Sequence, residues 1–126
     1  MCDLLNSNAS TKRCGPAAPC NQVPLFLLGR TVATPAARAL LIAHGIHPSS
    51  LLARHQSGDW GDVGVDSVAD NRRALTAGER ILSVYRLLPD TELARMTPAE
   101  RRQSPTIWVV TEADRWITTL LTPRCY

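Results

Sequence analysis

Residues 106–121 read TIWVVTEADRWITTLL, and this stretch decides the fold. Successive side chains of a strand point to opposite faces, so Ile107 and Trp108 begin two faces that are both apolar. Apolar character on both faces is typical of a strand inside a sheet, because edge strands are usually protected by charge or proline. A second β-branched and aromatic run follows at residues 116–121. The pattern predicts two paired strands joined by a tight acidic turn at residues 112–115.

The turn is the first candidate site, because binding and catalytic groups are often displayed on loops held by a rigid sheet. Glu112, Asp114 and Arg115 bring two carboxylates and a guanidinium into four consecutive residues. The alternative is a solvated hairpin tip with no function of its own.

Length and composition set the outer limits. The chain has 126 residues, which fits one domain with a single core, and its formal charge is +3. No window approaches the roughly 18 apolar residues of a membrane span, so we expect no membrane association. Of the 14 basic residues only Lys12 is a lysine. Arginine suits phosphate recognition, which leaves nucleic acid as a possible partner.

The cysteines avoid the segments that are predicted to fold. Cys2, Cys14 and Cys20 lie near the start of the chain, and Cys125 is next to the last residue. Their spacing lacks the close C-x-x-C pairs of structural zinc sites, so we assign no metal ligands to them and expect no cofactor. No apolar stretch of the kind found in secretory signals follows the N-terminus, and free thiols are typical of the reducing cytoplasm, where we expect the protein.

The first half of the chain alternates turns and helices. Residues 1–24 lack periodicity and are predicted to be a flexible leader, and residues 25–34 to be a strand bent at a glycine. Capping hydroxyls, prolines at first helical positions and glycine stops then predict three helices. The first runs from Pro35 to Gly45, the second from Pro48 to Gly58, and the third from a cap at Asp66 or Ser67 to Gly78.

The second half is predicted to supply most of the sheet. Residues 80–88 alternate as a strand that Pro89 closes. Residues 89–105 then contain the capping-box pattern TPAE, which predicts a short polar helix ending near Gln103 on the surface.

Four further residues are candidates for a site. His55 has a side chain that exchanges protons near neutral pH. Asp59 and Trp60 lie between two glycines that can fix the direction of an acid and an indole, although core cover is the favoured role for the tryptophan taken alone. Asn71 lies near the inward stripe of the third helix, where a buried amide must find hydrogen-bond partners.

Several of these motifs together resemble one family. They are LGRTVATP at residues 28–35, RHQSGDWG at 54–61, ILSVY at 81–85 and IWVVTEADR at 107–115, followed by Thr118, Thr119, Pro123 and Tyr126. Their order and spacing are similar to those of short plasmid-related proteins of bacterial plasmids and integrative elements, sometimes labelled as a restriction-modification subunit. In that family the strand containing Tyr85 leads almost directly into the strand containing Trp108. Residues 89–105 are therefore predicted to be an insertion.

The predicted architecture is a single α+β domain at residues 25–126. Short N-terminal helices pack on one face of a small antiparallel sheet, in which residues 80–88, 106–111 and 116–121 form a three-stranded meander and residues 25–34 add a fourth strand.

Three functions fit the candidate residues. The resemblance favours an accessory binding or regulatory module of a mobile element, with Trp60, Arg115 and the acidic turn holding a host or plasmid-encoded protein. The alternative is a small hydrolase, such as a metal-independent ribonuclease or toxin, with His55 as general acid or base, Glu112 as its counterpart and Arg115 stabilising phosphorane-like charge. A third possibility is a hard cation bound by four side chains, those of His55, Asp59, Glu112 and Asp114.

Overall fold

The computed structural model describes residues 24–125, and its backbone forms an α+β arrangement of four strands and five α-helices within that range. In chain order the elements are β1 (Arg30–Ala33), α1 (Pro35–Ala43), α2 (Pro48–Gln56), α3 (Val65–Ala77), β2 (Ile81–Arg86), α4 (Asp90–Leu93), α5 (Pro98–Gln103), β3 (Thr106–Thr111) and β4 (Ile117–Leu121), followed by a 3-10 turn at Pro123–Cys125.

The sheet is mixed. Its strand order is β1-β4-β3-β2, with antiparallel pairing of β2 with β3 and of β3 with β4. β1 pairs with β4 in parallel, so the prediction of a wholly antiparallel sheet is wrong. The short turn between β3 and β4 forces those two strands to run in opposite directions. No short connection links β1 to β4, and their relative direction is set by tertiary packing.

The first strand is shorter than predicted because of Gly29. This residue has a φ of +68°, and a Cβ built on it would lie 2.5 Å from the carbonyl carbon of Trp116. The backbone therefore leaves the extended conformation here, as only glycine can do at such close approach. Residues 25–28 run irregularly beside α2 instead. The amide of Leu25 donates to the Gln56 carbonyl, and the Gln56 side chain donates to the Phe26 carbonyl, both at 2.8 Å.

Local capping explains where most helices begin. Thr34 accepts a hydrogen bond from the amide of Ala37 at the start of α1, and Thr97 forms the predicted capping box with Glu100 at the start of α5. The cap predicted for α3 is wrong, because Gly64 occupies that position in an extended conformation without a side-chain cap. Asp66 lies in the first turn of α3, where its negative charge interacts favourably with the helix dipole. The one-turn helix α4 was not predicted.

Helices α1, α2 and α3 contribute to two clusters on one face of the sheet. The larger cluster joins α1 and α2 to inward residues of three strands: Ala37, Leu41, Leu51, Tyr85, Ile107, Val109 and Leu120. The smaller one consists of Phe26, Trp60, Ala74 and Ile81. The strand register places Ile81 and Tyr85 on the same face as Ile107, Val109 and Leu120, so both clusters belong to one layer.

Part of the chain is not described. Residues 1–23 and Tyr126 lie outside the described residues, so the flexible leader, with Cys2, Cys14 and Cys20, remains a prediction. None of the helices within residues 24–125 combines the length and apolar character needed to cross a membrane.

Candidate functional site

His55 lies at the centre of a buried polar chain. Its Nδ1 lies 2.5 Å from the hydroxyl of Ser83, and its Nε2 lies 2.9 Å from the hydroxyl of Thr111. The Thr111 hydroxyl in turn lies 2.7 Å from that of Thr118, which donates to the Leu28 carbonyl at 2.7 Å. The side chains of this buried polar chain, His55, Ser83, Thr111 and Thr118, come from α2 and three strands, and all four residues are inaccessible to solvent.

The proton positions along the chain follow from its last member. Because the Thr118 hydroxyl gives its single proton to a carbonyl, it must accept from Thr111. Thr111 has then used its own proton and must accept from Nε2–H of His55. A neutral imidazole protonated on Nε2 leaves Nδ1 bare, so Nδ1 accepts from the Ser83 hydroxyl. His55 is therefore a neutral imidazole with both nitrogens occupied.

The surroundings of His55 keep it uncharged. Phe26 and Trp60 meet its ring edge-to-face, with ring centroids 5.2 and 6.0 Å away. Burial lowers the pKa of His55 from 6.5 to about 3, and the positive charge of Arg115 acts in the same direction. A general acid or base must reach its substrate, whereas this imidazole contacts protein on all sides.

Arg115 links the β3–β4 turn to the end of α3. It adopts a left-handed backbone conformation with a φ of 58°, in a turn closed by its amide donating to the Glu112 carbonyl. Its guanidinium donates to the carbonyls of Ala74 at 2.7 Å and Glu79 at 2.5 Å. Longer bonds reach the carbonyls of Glu112 and Ala113. The guanidinium thus caps the C-terminus of α3, where a positive charge is favourable.

Replacing Arg115 with alanine should lower the free energy of unfolding by about 2 kcal/mol, because charge-assisted bonds to the end of α3 are lost. Urea denaturation measures this loss. Arg115→Lys keeps the charge but not the planar fork, and should retain only part of the stability. Arg38→Ala on the exposed side of α1 is the matched control, and equal effects at both positions would contradict the capping role.

The remaining groups of the turn are on its outside. Glu112 lies 3.1 Å from the guanidinium of Arg80, which precedes β2. Asp114 is exposed, and Trp116 has 61% of its surface exposed. The sequence offered Trp60 of the glycine loop as the candidate binding indole, but the exposed indole is that of Trp116, next to this turn.

The glycine loop is held against the sheet. Asp59 pairs with Arg54 at 2.7 Å, and its backbone carbonyl accepts from the buried Tyr85 hydroxyl at 2.6 Å. The Arg54 guanidinium lies 4.5 Å from the centre of the Tyr85 ring. Trp60 is buried beside Phe26 in the smaller core cluster, so its indole covers the core.

Asn71 hydrogen-bonds to the backbone of β2, the strand at one edge of the sheet. Its side-chain amide donates to the Leu82 carbonyl at 2.8 Å, and its oxygen accepts from the Leu82 amide at 3.1 Å. The one side chain therefore satisfies both main-chain groups that β2 presents at this point on its outer side.

The structure brings together only some of the predicted site residues. His55, Trp60 and Arg115 surround Phe26, with the Arg115 guanidinium 5.7 Å from its ring centre. Across residues 24–125, no three His, Cys, Asp or Glu side chains are grouped so that they could hold a metal. The third alternative, a cation bound by four of the predicted residues, therefore lacks geometric support.

Three members of the buried polar chain were missed in the sequence: Ser83, Thr111 and Thr118. The strand pattern carried a usable signal, because each interrupts the apolar residues that face the helices. Polar groups at inward positions of neighbouring strands must bond to one another or to a buried partner.

Searches against protein-family models, curated proteins and solved structures each returned no match.

Proposed function

We propose that this chain is a small cytoplasmic binding module, an accessory protein of a bacterial plasmid or integrative element, which holds a host or plasmid-encoded protein. The attribution to a mobile element rests on the resemblance of the motifs at residues 28–35, 54–61, 81–85 and 107–115. The observation that carries the binding role is the exposed indole of Trp116 at the end of the β3–β4 hairpin.

The contact surface is a hairpin-end patch formed by Leu27, Asp114 and Trp116. Leu27 and Trp116 lie in adjacent segments of the backbone, because the amide of Arg30 donates to the Trp116 carbonyl at 2.9 Å. Leu27 is 74% exposed and Trp116 is 61% exposed. An exposed tryptophan next to a tight turn, with a carboxylate two positions before it and an exposed leucine in the adjacent segment, has the composition of an interface anchor with a polar rim.

The positions of the other candidates support binding over hydrolysis. The hydrolase alternative needs His55, Glu112 and Arg115 to act on one substrate. His55 is enclosed, and Glu112 pairs with Arg80. Arg115 donates to carbonyls of α3 and the turn. A hydrolase would require all three groups to leave their present partners.

Site-specific photo-crosslinking tests the proposed surface. A photoreactive phenylalanine analogue at position 116, in cells that carry the mobile element, should give one discrete protein adduct. The same analogue at position 42 is the control, because Ile42 on α1 is 74% exposed but lies outside the patch. Once the adduct is identified, Trp116→Ala should weaken binding of the purified partner at least about tenfold, as expected for an anchor residue.

Two results would count against this function. Identical adducts from positions 116 and 42, or unchanged affinity of the Trp116→Ala variant, would exclude the hairpin-end patch. Cleavage of RNA or DNA by the purified chain, lost in a folded His55→Gln variant, would establish the hydrolase instead. Loss of that cleavage on adding EDTA would indicate a metal-dependent reaction.

A further inference from the structure

We infer that α5, the end of β2 and residues 62–64 form a binding site for a phosphate monoester. These segments enclose a concavity of about 270 Å³ whose charged lining residues are Asp62, Arg86, Arg101 and Arg102. The site lies at the end of the sheet where Arg86 pairs with Thr106, opposite the end where Ile81 pairs with Thr111 beside the turn. It is therefore separate from the hairpin-end patch and does not depend on the function proposed for it.

One arginine of the site is already fixed. The Nε of Arg86 donates to Asp62 at 2.9 Å, and its Nη1 donates to the Thr106 hydroxyl at 2.8 Å. Only 12% of its side chain is exposed. These bonds hold the guanidinium in one orientation at the wall of the concavity and neutralise its charge with one carboxylate.

The other two arginines lack such partners within residues 24–125. The Nε of Arg101 is buried and makes no hydrogen bond there. Arg102 is exposed, and neither residue forms an ion pair with any described carboxylate. A buried guanidinium N–H without an acceptor is costly, because it loses its hydrogen bonds to water and gains none in return. An incoming oxyanion would supply the missing acceptor.

The charge of the lining selects the class of anion. Three arginines face one aspartate, so two positive charges are in excess. A phosphate monoester carries a charge of about −1.5 to −2 at pH 7 and offers three acceptor oxygens that match the planar guanidinium fork. The phosphodiester of a nucleic acid backbone has a single charge, and a monocarboxylate likewise leaves one arginine uncompensated. The monoester is therefore the best match among these anions.

Isothermal titration calorimetry of the full chain with glycerol 2-phosphate tests this site. We expect saturable binding of one molecule, with dimethyl phosphate, the diester probe, binding at least about fivefold more weakly. Affinity should fall roughly tenfold from pH 7.5 to pH 5, because the second phosphate proton has a pKa near 6. Arg101→Gln and Arg102→Gln should each weaken binding at least about fivefold. Arg95→Gln, an exposed control that lies outside this lining, should bind within about twofold of the native chain.

Thermal denaturation in the absence of phosphate shows whether Arg101 serves to bind a ligand or to stabilise the fold. If Arg101 awaits an anion, Arg101→Met should leave Tm unchanged or raise it, since the unsatisfied donor is removed. A large fall in Tm would assign Arg101 to packing and overturn the site. Absence of saturable binding, equal affinity for monoester and diester, or native affinity in the Arg102→Gln variant would overturn it as well. Because Arg102 is exposed, its replacement leaves the fold intact and this last comparison remains decisive.

Discussion

Replacing His55 with alanine is expected to lower the free energy of unfolding by about 3–5 kcal/mol. The substitution leaves a cavity beside Phe26 and Trp60, which pack on the imidazole. It also removes one hydrogen bond from each of the Ser83 and Thr111 hydroxyls, in residues that have no access to water. Both losses come from the same substitution, which makes His55 the most sensitive of the predicted site residues. Urea denaturation at pH 7.5 measures the effect.

His44→Ala is the matched control for this measurement. His44 follows α1 and is exposed, so its removal should change the free energy of unfolding by less than about 0.5 kcal/mol. If the two alanine variants were equally stable, the buried polar chain would not contribute to the fold.

A triple variant separates the cost of the cavity from that of the hydrogen bonds. His55→Phe, Ser83→Ala and Thr111→Val together replace the imidazole with a ring that fills its volume and remove both hydroxyls that bond to it. Replacing both partners of a buried hydrogen bond with apolar groups can be nearly neutral, whereas leaving one of them unsatisfied is costly. The triple variant should therefore recover most of the stability that His55→Ala loses. In it Thr118 still donates to the Leu28 carbonyl.

The local elements could be predicted because their determinants are close in sequence. The capping box of α5 and the Thr34–Pro35 start of α1 each depend on residues within three positions of one another. The turn between β3 and β4 likewise follows from two apolar runs separated by four residues, of which three are charged. The direction of β1 could not be predicted, because its partner strand is far away in the chain and no connection fixes their relation.

The candidate residues were found by type, but their roles depend on distant contacts. His55 bonds to Ser83, which is 28 positions away, and to Thr111, which is 56 positions away. Arg115 bonds to the carbonyl of Ala74, which is 41 positions away. A histidine or arginine in a sequence carries the same chemistry whether it meets a substrate or a neighbouring strand. Burial decides between the two, and burial is a property of the whole fold. Trp60 is buried, as its expected role in covering the core requires, whereas no pattern in the sequence indicated that the Trp116 indole would be exposed.

The buried polar chain also determines how the protein responds to acid. The pKa of His55 is about 3 in the folded chain, compared with 6.5 in its ordinary state. Between these values the unfolded chain binds a proton that the folded chain does not. The contribution of His55 to the free energy of unfolding is therefore fully present well above pH 6.5. It falls as the pH decreases towards 3, by about 1.4 kcal/mol per pH unit. At pH 4.5 the loss from this group alone should be about 3 kcal/mol.

Urea denaturation at pH 7.5 and pH 4.5 checks this expectation when the native chain is compared with the triple apolar variant. The two proteins differ only at His55, Ser83 and Thr111, so every other group is common to both and cancels in the comparison. The native chain should lose about 3 kcal/mol more than the variant between the two pH values. Equal losses would mean that the imidazole is protonated without unfolding, which requires water or a carboxylate to reach it. A catalytic role for His55 would need the same access. The measurement therefore also tests whether His55 is enclosed, which is one reason for preferring binding over hydrolysis.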